Sequence, residues 1–251
     1  PEKISNLNKF LGPLGYHIRG DREGVKPWHL QQVAQAVAGK PEARAVNMAM
    51  LRSLKHARYA PQSLGHFGLA KQYYCHFTSP IRRYPDLVVH RVLREVMEKG
   101  ALSPRRYRRW QEMIHAYAQR SSERERAAEE AERDSVDMKK VEYMERHVGG
   151  VFSGFISGVT AYGFYVELEN TVEGLVHIST LTDDYYRFDE EHLSLVGQHT
   201  GRTFRLGDPV QVRVLRADRA TRQIDMELAQ PGIKAIHAGK LDSSLIAPGG
   251  G

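Results

Sequence analysis

The sequence predicts an α+β chain, with a mostly helical region at 1–148, a small closed barrel of five or six short strands at 149–228 and a flexible tail at 229–251. Three observations predict it. Apolar residues recur at three- and four-residue spacing through the first part. Gly149-Gly150 then breaks the helical pattern. From Val151 onward the period is two, in segments parted by Gly, Asn and Asp turns.

Taken in order, Ile4, Leu7, Phe10 and Leu11 give a first helix, ended by Gly12-Pro13. Trp28 to Val37 and Glu42 to Ala57 read as two more helices. Ala43, Val46, Asn47, Met50, Leu51 and Leu54 would form the buried stripe of the second, with Arg52, Lys55, His56 and Arg58 outside it. Pro85 suits the first turn of a helix whose Val88, Val89, Val92, Leu93, Val96 and Met97 keep helical spacing to Gly100. Ser103-Pro104 caps a very long helix reaching Val148. Its middle, Ser121 to Asp134, offers only alanines as apolar residues, and Arg126 with Glu130 and Glu129 with Arg133 would support it as i,i+4 pairs. The strands are expected at 151–157, 162–168, 172–177, 203–206, 209–216 and 222–228, and the Gly, Pro, Ala and Ser content after Leu228 predicts the tail.

At 251 residues, 41% hydrophobic and 26% charged, the chain can bury real cores. A run of about eighteen apolar residues is absent, as is an N-terminal signal sequence, so no membrane partner and a cytoplasmic location are expected. The single Cys75 excludes an intramolecular disulfide framework and reads as a small buried hydrophobe. A net charge of +6 favours a polyanionic partner, because Lys and Arg gain affinity by releasing counterions from phosphates, although basic composition alone is a weak signal. The first residue is Pro1, and the opening residues read like the middle of a domain, which suggests a fragment.

In the barrel region Tyr162-Gly163-Phe164-Tyr165, Gly174-Leu175-Val176-His177-Ile178-Ser179, Gly207-Asp208 and Asp218 with Arg222 occur in order. Flat aromatic faces stack on bases without needing a particular sequence, and basic groups follow the backbone. Strand alternation brings Tyr162 and Tyr165 together only through the turn at Gly163. Taken singly, each aromatic can be barrel core and His177 a packing histidine. As an ordered set over about 150–228 they resemble the S1 domain, the OB-fold module of many RNA-binding proteins. The resemblance implies that Tyr162, Tyr165, His177, Asp218 and Arg222 face nucleic acid while Phe164 points to the core. The insert Asp183-Asp184-Tyr185-Tyr186-Arg187-Phe188 reads as added surface, a capping helix or a loop, with no role assigned.

Earlier in the chain stand His66-Phe67-Gly68-Leu69, then His76-Phe77-Thr78-Ser79-Pro80-Ile81-Arg82-Arg83-Tyr84-Pro85-Asp86-Leu87 and His90-Arg91. The family that these motifs resemble hydrolyses phosphodiesters, which needs positive charge where the phosphorane develops negative charge, and a planar guanidinium can pair two oxygens. Arg82 is the first choice for that role, while Thr78 and Ser79 can donate to phosphates beside a helix N-terminus. Arg83 can contact RNA or hold the fold through Asp86 or a helix carboxylate. Tyr84 can stack or pack.

These motifs resemble the end of the RNB catalytic domain of the ribonuclease II and R family. With the Glu- and Arg-rich helix and the barrel, the resemblance spans nearly all of 1–228. It implies the C-terminal part of an RNB domain at 1–148 and a five-stranded S1-type OB fold at 149–228. It also implies a processive 3′-to-5′ exoribonuclease that yields 5′-mononucleotides, acting on single-stranded RNA 3′ ends and on structured RNA, as a monomer, with ribosome or trans-translation factors as further partners. Glu132 matches a family position near the RNA 3′ end, with an exposed helix salt bridge as the alternative. Arg105, Arg106, Arg108 and Arg109, with Tyr107 and Trp110, read as a solvated helix face rather than a second RNA surface.

The resemblance implies Mg2+ held by clustered aspartates in the full-length enzyme. No such cluster is visible in this sequence, so this chain alone is expected to hold no metal and to be inactive. A stand-alone RNA-binding or adaptor protein and a structural domain independent of nucleic acid are the competing readings.

Overall fold

In the computed structural model the described residues are 2–20 and 24–229; beyond Ala229 the expected tail lies outside them. The chain separates into two compact units. One gathers the N-terminal helix, Leu30–Leu54 and the chain from Arg133; the other gathers Gly20–His29 and Lys55–Glu132.

The first unit contains α1 (Glu2–Leu11), most of α2 (Pro27–Val37) and α3 (Ala43–Ser53). Leu7, Phe10, Leu11, Val33 and Val37 are buried at their expected spacing. On α3 the buried face is Ala45, Val46, Ala49 and Met50, not the stripe through Asn47 and Leu51, and Leu51 is exposed. The cause is a close approach. The turn glycine Gly207, with φ 87°, comes so near α3 that a Cβ there would lie 2.8 Å from the Ala45 Cβ. Only small residues allow this contact, and it draws the alanine face inward. Arg44 pairs with Glu167 at 3.0 Å, and Arg52 donates to the Ser157 carbonyl, so the basic flank of α3 also serves packing.

The strands are β1 (Val151–Thr160), β2 (Gly163–Leu168), β3 (Glu173–His177), β4 (Tyr186–Asp189), β5 (Ser194–Gly197), β6 (Thr203–Arg205), β7 (Pro209–Asp218) and β8 (Gln223–Leu228). Five close a barrel in the order β1-β2-β3-β8-β7, in which β3 and β8 run parallel and the other pairings are antiparallel. The fold class is therefore α+β, with helices followed by a five-stranded barrel of the OB type. Alternate inward residues fill it: Phe152, Ile156, Phe164, Val166, Val176, Val212, Val214, Ile224 and Met226, with Val141 and Met144 from the end of the long helix. Each such burial contributes about 1.5–3 kcal/mol before entropy is counted.

The strand expected at 203–206 is not part of the barrel. It belongs to a separate sheet ordered β4-β5-β6, and the insert at 183–188 forms its first strand. Asp184 organises that turn: its carboxylate accepts hydrogen bonds from the Thr200 backbone and hydroxyl and from His199 and Tyr185, which holds it well below the usual carboxylate range.

The second unit holds α4 (Tyr84–Lys99) and α5 (Pro104–Glu145) as far as Glu132. Ser103 caps α5, its Oγ accepting the Arg106 N–H. Among the described residues neither expected pair in the middle of α5 closes, and Arg126 Nε donates to the Ser122 carbonyl at 3.2 Å instead. On α4 the apolar stripe thins toward the C-terminus, where Leu93 and Met97 are exposed. The segment 55–83 has no helix or strand, only a bridge between His66 and Lys71. Cys75 lies in it and is exposed, not buried, because this segment brings no layer over it.

Candidate nucleic-acid interface

The barrel positions its aromatic residues through register. Gly163 pairs with His177 and Tyr165 with Leu175 across β2 and β3, while Ile178 N–H bonds the Tyr162 carbonyl at 2.9 Å. Gly163 must be glycine: at φ 149° a Cβ would meet the Val176 carbonyl oxygen at 2.2 Å. The turn thus places Tyr162 and Tyr165 with hydroxyls 3.0 Å apart and rings nearly perpendicular at 6.4 Å. The Tyr162 hydrogen bond, aided by burial, pushes the Tyr165 phenol up to about 12, so it stays a neutral donor. Tyr162 and His177 are exposed, and His177 Nδ1 bonds Ser179 Oγ at 2.8 Å. Phe164 between the tyrosines is fully buried, as strand alternation requires.

Asp218 and Arg222 flank the turn from β7 to β8. Asp218 accepts the Ala220 and Thr221 N–H groups and pairs with Arg216, the two backbone bonds holding its carboxyl below the usual range. Asp218 is thereby spent on shaping the turn. Arg222 pairs with Asp134 of α5. Neither the Arg216 nor the Asp134 contact carries a signal in the sequence, because both follow from how the barrel closes.

In the other unit one carboxylate organises the turn before α4. Asp86 is completely buried and accepts Ser79 N–H at 2.8 Å and Arg83 Nη2 at 2.9 Å. Burial alone would raise its carboxyl, but the Ser79 amide, Arg83 and His76 together hold it below the usual range. Of the alternatives for Arg83, the geometry therefore supplies the Asp86 pair. Arg83 Nη2 also reaches Thr78 Oγ1 at 3.5 Å. Arg82, one residue earlier, is exposed, and its side chain makes no hydrogen bond or ion pair among the described residues. Thr78 is exposed and Ser79 half-buried, with its amide committed to Asp86. Tyr84 packs edge-on against Tyr117 at 5.2 Å, and their hydrogen bond raises its phenol.

Glu132 is exposed on α5 without an ion-pair partner among the described residues. In the basic cluster Arg106 donates twice to Glu95 at 2.7 Å and Trp110 Nε1 donates to the same carboxylate at 3.1 Å. At least this arginine and the buried Trp110 join α4 to α5. One further cluster carries no signal in the sequence: the Tyr59 hydroxyl bonds His76 Nδ1 at 2.8 Å and donates to Glu125 at 3.3 Å beside a cavity of about 260 Å³.

Among the described residues no group of three or more His, Cys, Asp or Glu side chains is placed to hold a metal ion, and no helix is long and apolar enough to cross a membrane.

A family model described as the RNB domain matches residues 1–99, and one described as the S1 RNA binding domain matches 145–229. Ribonuclease R 1 of Lactococcus lactis is 44% identical over 226 residues, covering 90% of this chain and 28% of the relative. Ribonuclease R of Aquifex aeolicus is 43% identical over 230 residues, covering 91% and 32%. The chain thus spans less than a third of these relatives. Among solved structures, apo RNase R of Mycoplasma genitalium superposes with a TM-score of 0.81 at 26% identity, covering 91% of this chain and 36% of that one. The same protein in complex with ribose methylated single-stranded RNA matches equally well.

Proposed function

We propose that this chain, which joins a segment matching the RNB domain to one matching the S1 RNA binding domain and is similar to ribonuclease R over about nine tenths of its length, forms the RNA-holding part of a cytoplasmic 3′-to-5′ exoribonuclease of the ribonuclease R family. In this reading residues 1–148 are the C-terminal part of the RNB domain and 149–228 the S1 domain. Single-stranded RNA stacks on Tyr162 and Tyr165, with His177 and Arg222 beside the backbone. Asp218 acts by shaping the turn that presents Arg222. In the RNB segment Arg82 meets the scissile phosphate, Thr78 and the Ser79 hydroxyl support it, Tyr84 contributes an aromatic edge, and Glu132 lies toward the RNA 3′ end.

The observation that carries the reading is the contrast between two neighbouring arginines. Arg83 is fixed by a buried carboxylate, while Arg82 is held beside it with its guanidinium unspent. A guanidinium without an internal partner costs no ion pair when it meets phosphate. RNB exoribonucleases are generally Mg2+ dependent. The described side chains do not fit such an ion, so the metal-dependent step is assigned to other parts of the full-length protein and this chain alone to no hydrolysis.

The test uses the full-length protein. Arg82→Ala is expected to slow hydrolysis by about 10²–10³-fold while changing RNA affinity little. Combined Tyr162→Ala and His177→Ala is expected to do the reverse, losing about 1–3 kcal/mol of affinity per stacked base. Equal losses in both assays for Arg82→Ala would defeat the assignment.

A further inference from the structure

On the barrel surface Tyr165 of β2 stands opposite Leu175 of β3, and Leu175 opposite Asp225 of β8. Residues paired across neighbouring strands share a face, so an aromatic ring, an apolar side chain and a carboxylate form one row. Beside this row is a cavity of about 180 Å³, to which Glu173, Asp137 and Arg222 also contribute. The side chains of Asp137 and Asp225 make no hydrogen bond or ion pair among the described residues. Glu173 accepts the Ser157 hydroxyl on Oε1, which leaves Oε2 open.

Three carboxylates next to a surface that takes a polyanion are unfavourable unless they meet donors, and the Lys140 amine that also lines the cavity donates to the Thr171 carbonyl at 2.7 Å and pairs with none of them. They are not grouped to hold a metal ion. The donors that RNA brings to such a place are on its bases. Cytosine, adenine and guanine carry exocyclic amino groups, which carboxylates accept well, whereas uracil offers a single imino N–H. Tyr165 supplies the stacking face that holds a base at this depth, and Arg222 marks the side on which a phosphate lies.

We propose that this cavity is a base-reading subsite that favours nucleotides bearing an exocyclic amino group over uridine. It rests on the reading of the barrel as an RNA-binding surface. The S1 surface as read above uses stacking and phosphate contacts; this subsite adds discrimination among bases through Glu173, Asp137 and Asp225.

The experiment measures binding of short oligocytidylate, oligoadenylate and oligouridylate of equal length to this chain by fluorescence anisotropy. Oligocytidylate and oligoadenylate are expected to bind about 5- to 20-fold more tightly than oligouridylate. The isosteric pair Glu173→Gln with Asp225→Asn is expected to abolish that ratio while leaving oligouridylate affinity unchanged or raised. Equal affinities in the unaltered chain, or a ratio that survives in the double variant, would overturn the subsite. Binding indifferent to Tyr162→Ala with His177→Ala would instead overturn the underlying RNA-binding surface, and with it this inference.

Discussion

In the barrel, Tyr162, Tyr165 and His177 hang from strands whose register is fixed by five pairings around one apolar core. In the turn before α4, Arg82, Arg83 and Ser79 are arranged by a single buried carboxylate, Asp86, in a stretch with almost no regular structure. Many small apolar contributions set the first geometry and one polar anchor sets the second. The first should degrade gradually as contacts are lost, and the second should fail at one residue.

The largest effects test that contrast directly. Phe164→Ala empties the centre of the barrel and is expected to cost about 3–5 kcal/mol, read by denaturant unfolding with a barrel-specific probe. Asp86→Ala leaves Arg83 partly buried without its counter-charge and is expected to cost about 3 kcal/mol. Its distinguishing mark is local: hydrogen exchange at Ser79, Arg82 and Arg83 should accelerate while the barrel amides stay protected. Uniform acceleration across both units would remove the distinction.

Acid offers a second way to separate the regions. Glu95 joins α4 to α5, and hydrogen bonds from Arg106 and Trp110 depress its carboxyl to about 2 from an ordinary 4.5. A depressed carboxyl stabilises the fold fully above the ordinary value, and that contribution fades as pH falls from about 4.5 toward 2. The helical unit should therefore loosen in this window, and Glu95→Gln should flatten its pH dependence there. A titration of helix-unit unfolding that is identical in the variant would exclude Glu95 as the source.

The sequence made most of this architecture legible for a physical reason. Period-two patterning bounded by Gly turns reports strands whose inward residues must be apolar, so the barrel strands follow from the pattern, while the inward place of Phe164 was implied by the resemblance to the S1 domain. Beyond those local rules legibility fell. In the second sheet β4 and β5 were hidden because four residues are too few for periodicity to show, and β6, which the pattern does mark as a strand at 203–206, pairs with β5 and not with the barrel, a pairing that period alone does not report. The inward face of α3 keeps the predicted Val46 and Met50 but takes Ala45 and Ala49 in place of Asn47 and Leu51, because of the close approach to Gly207. At the candidate sites, residue type and order pointed to Arg82, Tyr162 and His177. The partners that decide what each can do were unreadable: the Arg83 sequence context allowed several carboxylates, and nothing in it marks Asp134 as the neighbour of Arg222.

That last pair gives the smallest and most discriminating prediction. Asp134 places a carboxylate on Arg222, the arginine proposed to lie along the RNA backbone. Both side chains are partly exposed, so the pair itself is worth at most about 1 kcal/mol. RNA must nevertheless compete with the carboxylate for the guanidinium. Asp134→Asn is therefore expected to raise RNA affinity about two- to fivefold at low salt, with a steeper loss of affinity as salt rises because one more counterion is released on binding. In an Arg222→Ala background the same change should raise affinity less. If Asp134→Asn instead weakens RNA binding, the carboxylate positions Arg222 for the phosphate, and the barrel surface would then depend on a polar anchor just as the turn before α4 depends on Asp86.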